Sequence, residues 1–263
     1  MSNIGICLSG HTRNFYSVPY FLALRDILEK NGISTSFYLS TWDIDGYNLG
    51  IYKQSKNYCN NLQTSLFLEA FDAKALEIEN HASELIQSEV ENVAIKFQEA
   101  VLDPRPSVTQ YDRPHEIKTT ILHMFRKAER SFNMVKFKHD VLLRSRFDIY
   151  FNVHIVASQV IDIIQQKSDT IVVPSNFSFG GEHHDGGGRM CDSFAIGSFR
   201  SMEKYFHTYS SMVNGKITPE YLAENQIWFT PHSILRNNLL MDGIMYREMD
   251  IGYSIRREGG PPI

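Results

Sequence analysis

Residues 4–43 constrain the fold more than any other stretch. IGICLSG (4–10) sets Ile4, Ile6 and Leu8 ahead of Gly10, the pattern of a buried strand that ends in a turn. VPYFLALRDILEK (18–30) repeats apolar residues at helical spacing and stops at Gly32. STSFYLSTWD (34–43) returns to β-branched and aromatic residues. Strand, helix and strand in succession make a βαβ unit, which implies a parallel sheet. Sheets of that kind bind ligands beyond the carboxyl ends of their strands, so the residues just after each strand are the ones to weigh.

The remaining chain extends the same pattern. Residues 44–70 are polar and irregular, and apolar spacing of three and four predicts a helix over 73–102. DPRPSVTQYDRPHE (103–116) holds three prolines and reads as a loop. A helix comes next over 116–134, with Ile117, Ile121, Met124, Phe125 and Ala128 on one face. HDVLLRSRFDIYF (139–151) reads as a strand, 156–167 as a helix and DTIVVPS (169–175) as a strand. NFSFGGEHHDGGGRM (176–190), with five glycines, is a loop flexible enough to be functional. A strand over 191–199, a helix over 200–213 and a segment over 218–240 with Thr218 as N-cap and Pro219 in its first turn come after it. A last strand over 244–256 precedes EGGPPI, which reads as unstructured. With no repeat and no linker, one α/β domain spans 1–263, a mostly parallel mixed sheet flanked by helices.

Composition narrows the class. A formal net charge of −4 argues against bulk electrostatic binding of nucleic acid or an anionic membrane. Three cysteines at wide spacing, Cys7, Cys59 and Cys191, make neither a disulfide framework nor a zinc motif, and point to a reducing cytoplasm. No stretch reaches the roughly 20 apolar residues of a membrane span, and MSNIGICLSGHTRNF does not read as a signal peptide.

Four places carry candidate chemistry. Ser9, Gly10 and Arg13 stand just after the first strand, where a phosphate or nucleotide would sit, although an ordinary turn with a solvent-facing Arg fits equally. Trp42 and Asp43 end the second strand, as a ring-holding pair or as a core indole beside a capping carboxylate. In LLRSRFDIYF (142–151), period-two alternation puts Arg144, Arg146 and Asp148 on one face of an apolar strand. Burying two guanidiniums without partners costs several kcal/mol, so they pair with Asp148 or with a bound anion such as a diphosphate. The glycine loop holds His183, His184 and Asp185, and Asp192 opens the next strand, where a carboxylate is held firmly enough to act as a base. The three adjacent groups lack zinc spacing. Glu224 shares a helix face with Glu220 and reads as solvated. His115, His123, His207 and His232 read as structural.

Taken in order, SGHTRNF, STWD, RSRFDIYF, DSFAIGSFRSMEKYF, PEYLAENQIWF and IGYSIRR resemble the small nucleotide-sugar glycosyltransferases of the GT-A fold found in bacterial surface-polysaccharide clusters and large viruses. The resemblance is weakest over 44–115. It implies a nucleotide-binding half at 1–151 and an acceptor half at 152–263. It also implies a nucleotide-sugar donor and a glycan acceptor, with Ser9, Gly10, Arg13 and Asp43 lining the nucleotide pocket and Lys118, His123 and Lys127 flanking it. The loop with His183 and His184 would shape the acceptor site together with Glu224. Asp192, and after it Asp185, would be the base. In that family an Asp-x-Asp motif holds Mn²⁺ or Mg²⁺ and the diphosphate. Here Arg146-Phe147-Asp148 stands in its place, so Asp148 alone remains to bind a metal or to contact the sugar. A nucleotide- or sugar-binding module without turnover is the alternative that the missing Asp suggests. A nucleotidyltransferase would need more carboxylates than stand out here.

Overall fold

A computed structural model describes residues 2–10, 17–42, 44–45, 57–58, 69–80, 82–102, 114–175 and 190–255. The strands are β1 (Ser2–Gly10), β2 (Ile33–Trp42), β3 (Ile44–Asp45), β4 (Asn57–Tyr58), β5 (Ala75–Glu79), β6 (Val141–Ser145), β7 (Ile149–Tyr150), β8 (Ile171–Pro174), β9 (Phe194–Ser198), β10 (Tyr246–Met249) and β11 (Ser254–Ile255). Seven of them form one sheet in the order β10-β8-β9-β6-β1-β2-β5. β9 runs antiparallel to both neighbours, and every other pairing in this sheet is parallel. The carboxyl ends of the parallel strands and the amino end of β9 therefore share one edge.

β1 is the centre of the construction. It is hydrogen-bonded in parallel to β2 on one side and to β6 on the other, and Ile4 through Ser9 are buried. A strand covered on both faces must be apolar on both, which is why IGICL shows no polar alternation. From β1 the chain builds outward through β2 to β5, then returns to place β6 on the opposite flank. Right-handed crossovers in opposite directions put their helices on opposite faces. Accordingly α1 (Val18–Lys30) packs with α4 (Val153–Gln166) on one face. α2 (Glu84–Lys96) packs on α3 (Pro114–Asn133), which covers the other face together with α5 (Phe199–Phe206) and α6 (Thr208–Val213). α7 (Pro219–Glu224) and α8 (Pro231–Met241) come last, and α8 packs on α5 and α6. No helix among the described residues is long and apolar enough to cross a membrane.

Several elements differ from the sequence expectation. Residues 75–79 are not the start of a helix over 73–102 but an edge strand, because Glu77 and Glu79 face cations on α3 and the helix starts only after Ser83. The loop expected over 103–116 gives way to α3 at Pro114, a residue suited to a first helical turn, while 103–113 lie outside the described residues. The strand over 139–151 ends at Ser145; Arg146–Asp148 turn, and β7 pairs antiparallel with β11. Asp192 precedes β9 instead of opening it. The helix over 200–213 breaks at His207. The one over 218–240 breaks before Pro231, with Gln226 in left-handed backbone at φ 53°. The last strand divides into β10 and β11. Within 44–70, expected to be irregular, β3 and β4 pair antiparallel. The Thr218 cap is present, its hydroxyl accepting from the Tyr221 N–H.

Close approach explains Gly5. A Cβ there would stand 2.7 Å from Leu142 Cδ2 and 2.9 Å from the His139 ring, which is itself hydrogen-bonded to Tyr38 and Asn3. Gly5→Ala should lower stability by about 1–3 kcal/mol, read as a lower denaturant midpoint at unchanged slope.

Candidate functional site

The sheet changes its direction of growth between β1 and β6, which is where open α/β sheets leave a crevice for ligands. Register places Cys7 beside Arg144 and Leu8 beside Ser145. Arg144 and Ser9 thus lie on the same face, the one under α3 and α5, at the carboxyl edge. Arg144 is 1% exposed, and its Nε and Nη1 have no hydrogen-bond partner among the described residues. The hydroxyl of Ser9, also 1% exposed, has none either. Burial draws the Arg144 guanidinium below its ordinary value, against the opposing pull of Tyr205 and Asp192. Tyr205 is not its counter-charge: it donates its hydroxyl to the Cys191 carbonyl at 3.1 Å, and burial holds that phenol well above its usual range. Burial also pushes the Cys7 thiol far up and that of Cys191 up to about 12, so neither is a thiolate at neutral pH.

Arg146 sits in the turn after β6, where the strand has ended. Its Nε donates to Asp148 Oδ1 at 2.9 Å and its Nη2 to Oδ2 at 2.7 Å, a bidentate pair. Asp148 is 1% exposed and Arg146 21%. Burial alone would lower the Arg146 value, but Asp148 outweighs it and holds the guanidinium above its ordinary range. The turn is tied down by the Ser17 hydroxyl, which donates to the Phe147 carbonyl, and by Ser145, which donates to the Arg146 carbonyl at 3.1 Å. The expected common face of Arg144, Arg146 and Asp148 is therefore corrected: the strand ends between the two arginines.

Asp192 lies at the same edge, just before the amino end of β9. Ser193 donates to its Oδ1 at 3.3 Å, and His232 Nδ1 lies 3.7 Å from that oxygen while donating to the Met190 carbonyl at 2.7 Å. Tyr253 adjoins from the segment before β11, its phenol raised by burial and by Cys191 and lowered by Arg146. Gly10 ends β1 at φ +111°, a backbone state that L side chains rarely adopt, and its carbonyl accepts from Thr41 at 2.9 Å.

Lys127 is held by partners from β2 and β5. Its Nζ donates to Glu79 at 2.6 Å and lies 4.2 Å from the centre of the Trp42 ring. Arg126 joins Glu79 at 2.9 Å and Glu89 at 3.2 Å; Arg130 pairs with Glu77, which also accepts from Ser40 at 2.9 Å. Lys118 donates to the Phe97 and Gln98 carbonyls. Glu224 is exposed at the end of α7. Arg13, Asp43, His183, His184 and Asp185 lie outside the described residues. Tyr205, Ser193, His232 and Tyr253 do not stand out as site residues in the sequence, where nothing local separates them from core aromatics, hydroxyls and structural histidines.

No protein-family model and no curated protein sequence matches this chain. Among solved structures, mouse xyloside xylosyltransferase 1 in its apo form aligns over 95% of this chain and 84% of that one, at 6% identity and a TM-score of 0.40. A likeness of that size carries no argument about activity.

The Asp-x-Asp comparison leaves Asp148 as the one carboxylate to meet a metal, and its surroundings decide whether it is available. Among the described residues no three His, Cys, Asp or Glu groups gather to hold an ion, and both Asp148 oxygens are engaged by Arg146.

The Glu79 cluster gives a test of its own. Burial would raise the Glu79 value, but hydrogen bonds from Arg126 and Lys127 bring it below the ordinary carboxylate value. A depressed carboxylate contributes stability above its unfolded value that is lost as pH falls through the folded one. Glu79→Gln should cost about 3–5 kcal/mol at neutral pH, because it leaves Lys127 buried without the carboxylate at its Nζ and Arg126 with Glu89 alone. The gap to wild type should close as pH falls below the folded-state value, measured by chemical denaturation across pH.

Proposed function

We propose that this protein is a glycosyltransferase that moves a sugar from a nucleoside-diphosphate sugar to a hydroxyl of a glycan or similar acceptor. One observation carries the reading: a buried guanidinium with two nitrogens, and on the same sheet face a serine hydroxyl, that have no hydrogen-bond partner among the described residues, at the carboxyl edge where the strand order reverses. Such a cation is costly unless an anion completes it, and a diphosphate offers the oxygens that an arginine binds in plane. The order of motifs from SGHTRNF to IGYSIRR supports a sugar nucleotide as the source of that diphosphate.

In this reading Ser9 and Arg144 receive the diphosphate, and Arg146 approaches it from the turn. The acceptor oxygen attacks the anomeric carbon as the bond from that carbon to the phosphate oxygen breaks. The acceptor proton passes to Asp192, and the electron pair of the broken bond leaves with the nucleoside diphosphate. Arg144 and Arg146 lower the barrier by stabilising that departing charge, which is the main electrostatic demand of the step. Asp192 suits the role of base because Ser193 donates to it, with His232 alongside, just before β9. Arg13, Asp43 and the loop carrying His183, His184 and Asp185 complete the proposed donor and acceptor pockets.

Two variants test separate parts of this. Arg144→Met should weaken nucleoside-diphosphate binding by about tenfold or more and leave the unliganded protein as stable or more stable by about 1–4 kcal/mol. Calorimetric titration and thermal melting read the two effects; unchanged affinity would sink the proposal. Asp192→Asn should slow acceptor-dependent release of nucleoside diphosphate about 10²–10⁴-fold at nearly unchanged donor affinity. A module that binds without turnover shares the Arg144 result but releases no product with any acceptor.

A further inference from the structure

We infer that the diphosphate is held here without a divalent cation, its place taken by the guanidinium of Arg146 pinned on Asp148. The inference rests on the donor reading above and adds how that donor is gripped. A carboxylate that served a metal would present its oxygens to the crevice. Asp148 instead spends both on Arg146, at 2.9 and 2.7 Å, and is buried. A cation entering at Asp148 would have to expel the guanidinium and forfeit two charge-assisted hydrogen bonds. Asp192 is turned toward Ser193 and His232, and among the described residues no third ligand gathers near either carboxylate.

The same geometry prepares Arg146 to do the cation's work. Its Nε and Nη2 face Asp148, which directs Nη1 to the opposite edge of the guanidinium plane. The side chain remains 21% exposed, in contrast to its carboxylate partner. Asp148 fixes its rotamer, and the Ser17 hydroxyl on the Phe147 carbonyl fixes the turn beneath it. A positive group held rigidly at the end of β6 meets the diphosphate without reorganisation. Arg144, one residue inside the strand end, supplies the second guanidinium.

Calorimetric titration of the full chain with uridine, guanosine, adenosine and cytidine diphosphates, each in EDTA and then in Mn²⁺, tests the inference. The expected result is binding of at least one nucleotide with affinities in the two conditions within about twofold, and a loss of about tenfold or more in EDTA for Arg146→Lys, which keeps the charge but loses the fork. A rise of about tenfold or more on adding Mn²⁺, or wild-type affinity for Arg146→Lys in EDTA, overturns it. Failure of all four nucleotides in both conditions is a different outcome: it removes the donor reading itself, and the inference with it.

Discussion

The structure depends on a single strand with parallel partners on both edges. β1 has no free side, so the later strands of the sheet must be laid down first to one flank and then to the other. That requirement divides α1 from α3 across the sheet and reverses the strand order between β1 and β6, the place where open sheets of this kind receive ligands. It also gathers residues remote in sequence. Ser9 and Arg144 share a sheet face because their strands share a register, and Asp192 lies at the same edge because β9 runs the other way and starts where β6 stops.

Buried charge on the α3 face is handled in two different ways. Near β5, Glu77 and Glu79 are met by Arg126, Lys127 and Arg130, and Lys127 also rests on Trp42. Burial still draws Lys127 down to about 8, but Glu79 opposes that shift from 2.6 Å. That cluster is internally compensated and reads as scaffold. At β6 the compensation is missing: Arg144 has Asp192 and Tyr205 near enough to act on it electrostatically, yet two of its nitrogens donate to nothing described.

Elements that carry their own punctuation were legible in the sequence. β1 ends at a glycine, α1 has one shortly after its last turn, and Thr218 announces its helix through a hydroxyl at the N-cap. Elements defined by distant partners were not. Residues 75–79 become a strand through β2 and through cations roughly 50 positions away on α3. The chain turns at 146–148 because Arg146 closes on Asp148 and β7 finds β11 near the end of the described chain. At the site, the alternating charges of RSRFD reveal that a cation problem exists, but an internal partner and an external anion solve it equally well on local pattern alone. The structure divides the answer between the two arginines.

That division is what links stability to the proposed chemistry. Arg146 has its counter-charge built in, so it is inexpensive to keep and rigid before any ligand arrives. Arg144 has no such partner among the described residues, and its desolvation cost is the larger because it is almost fully buried. An anion in the crevice would meet one group that is already oriented and another whose burial it offsets. The first supplies geometry and the second supplies the gain on binding. Exchanging their surroundings would undo both: a paired Arg144 would have little to gain from a diphosphate, and an unpaired Arg146, in a turn and partly exposed, would lose its fixed direction.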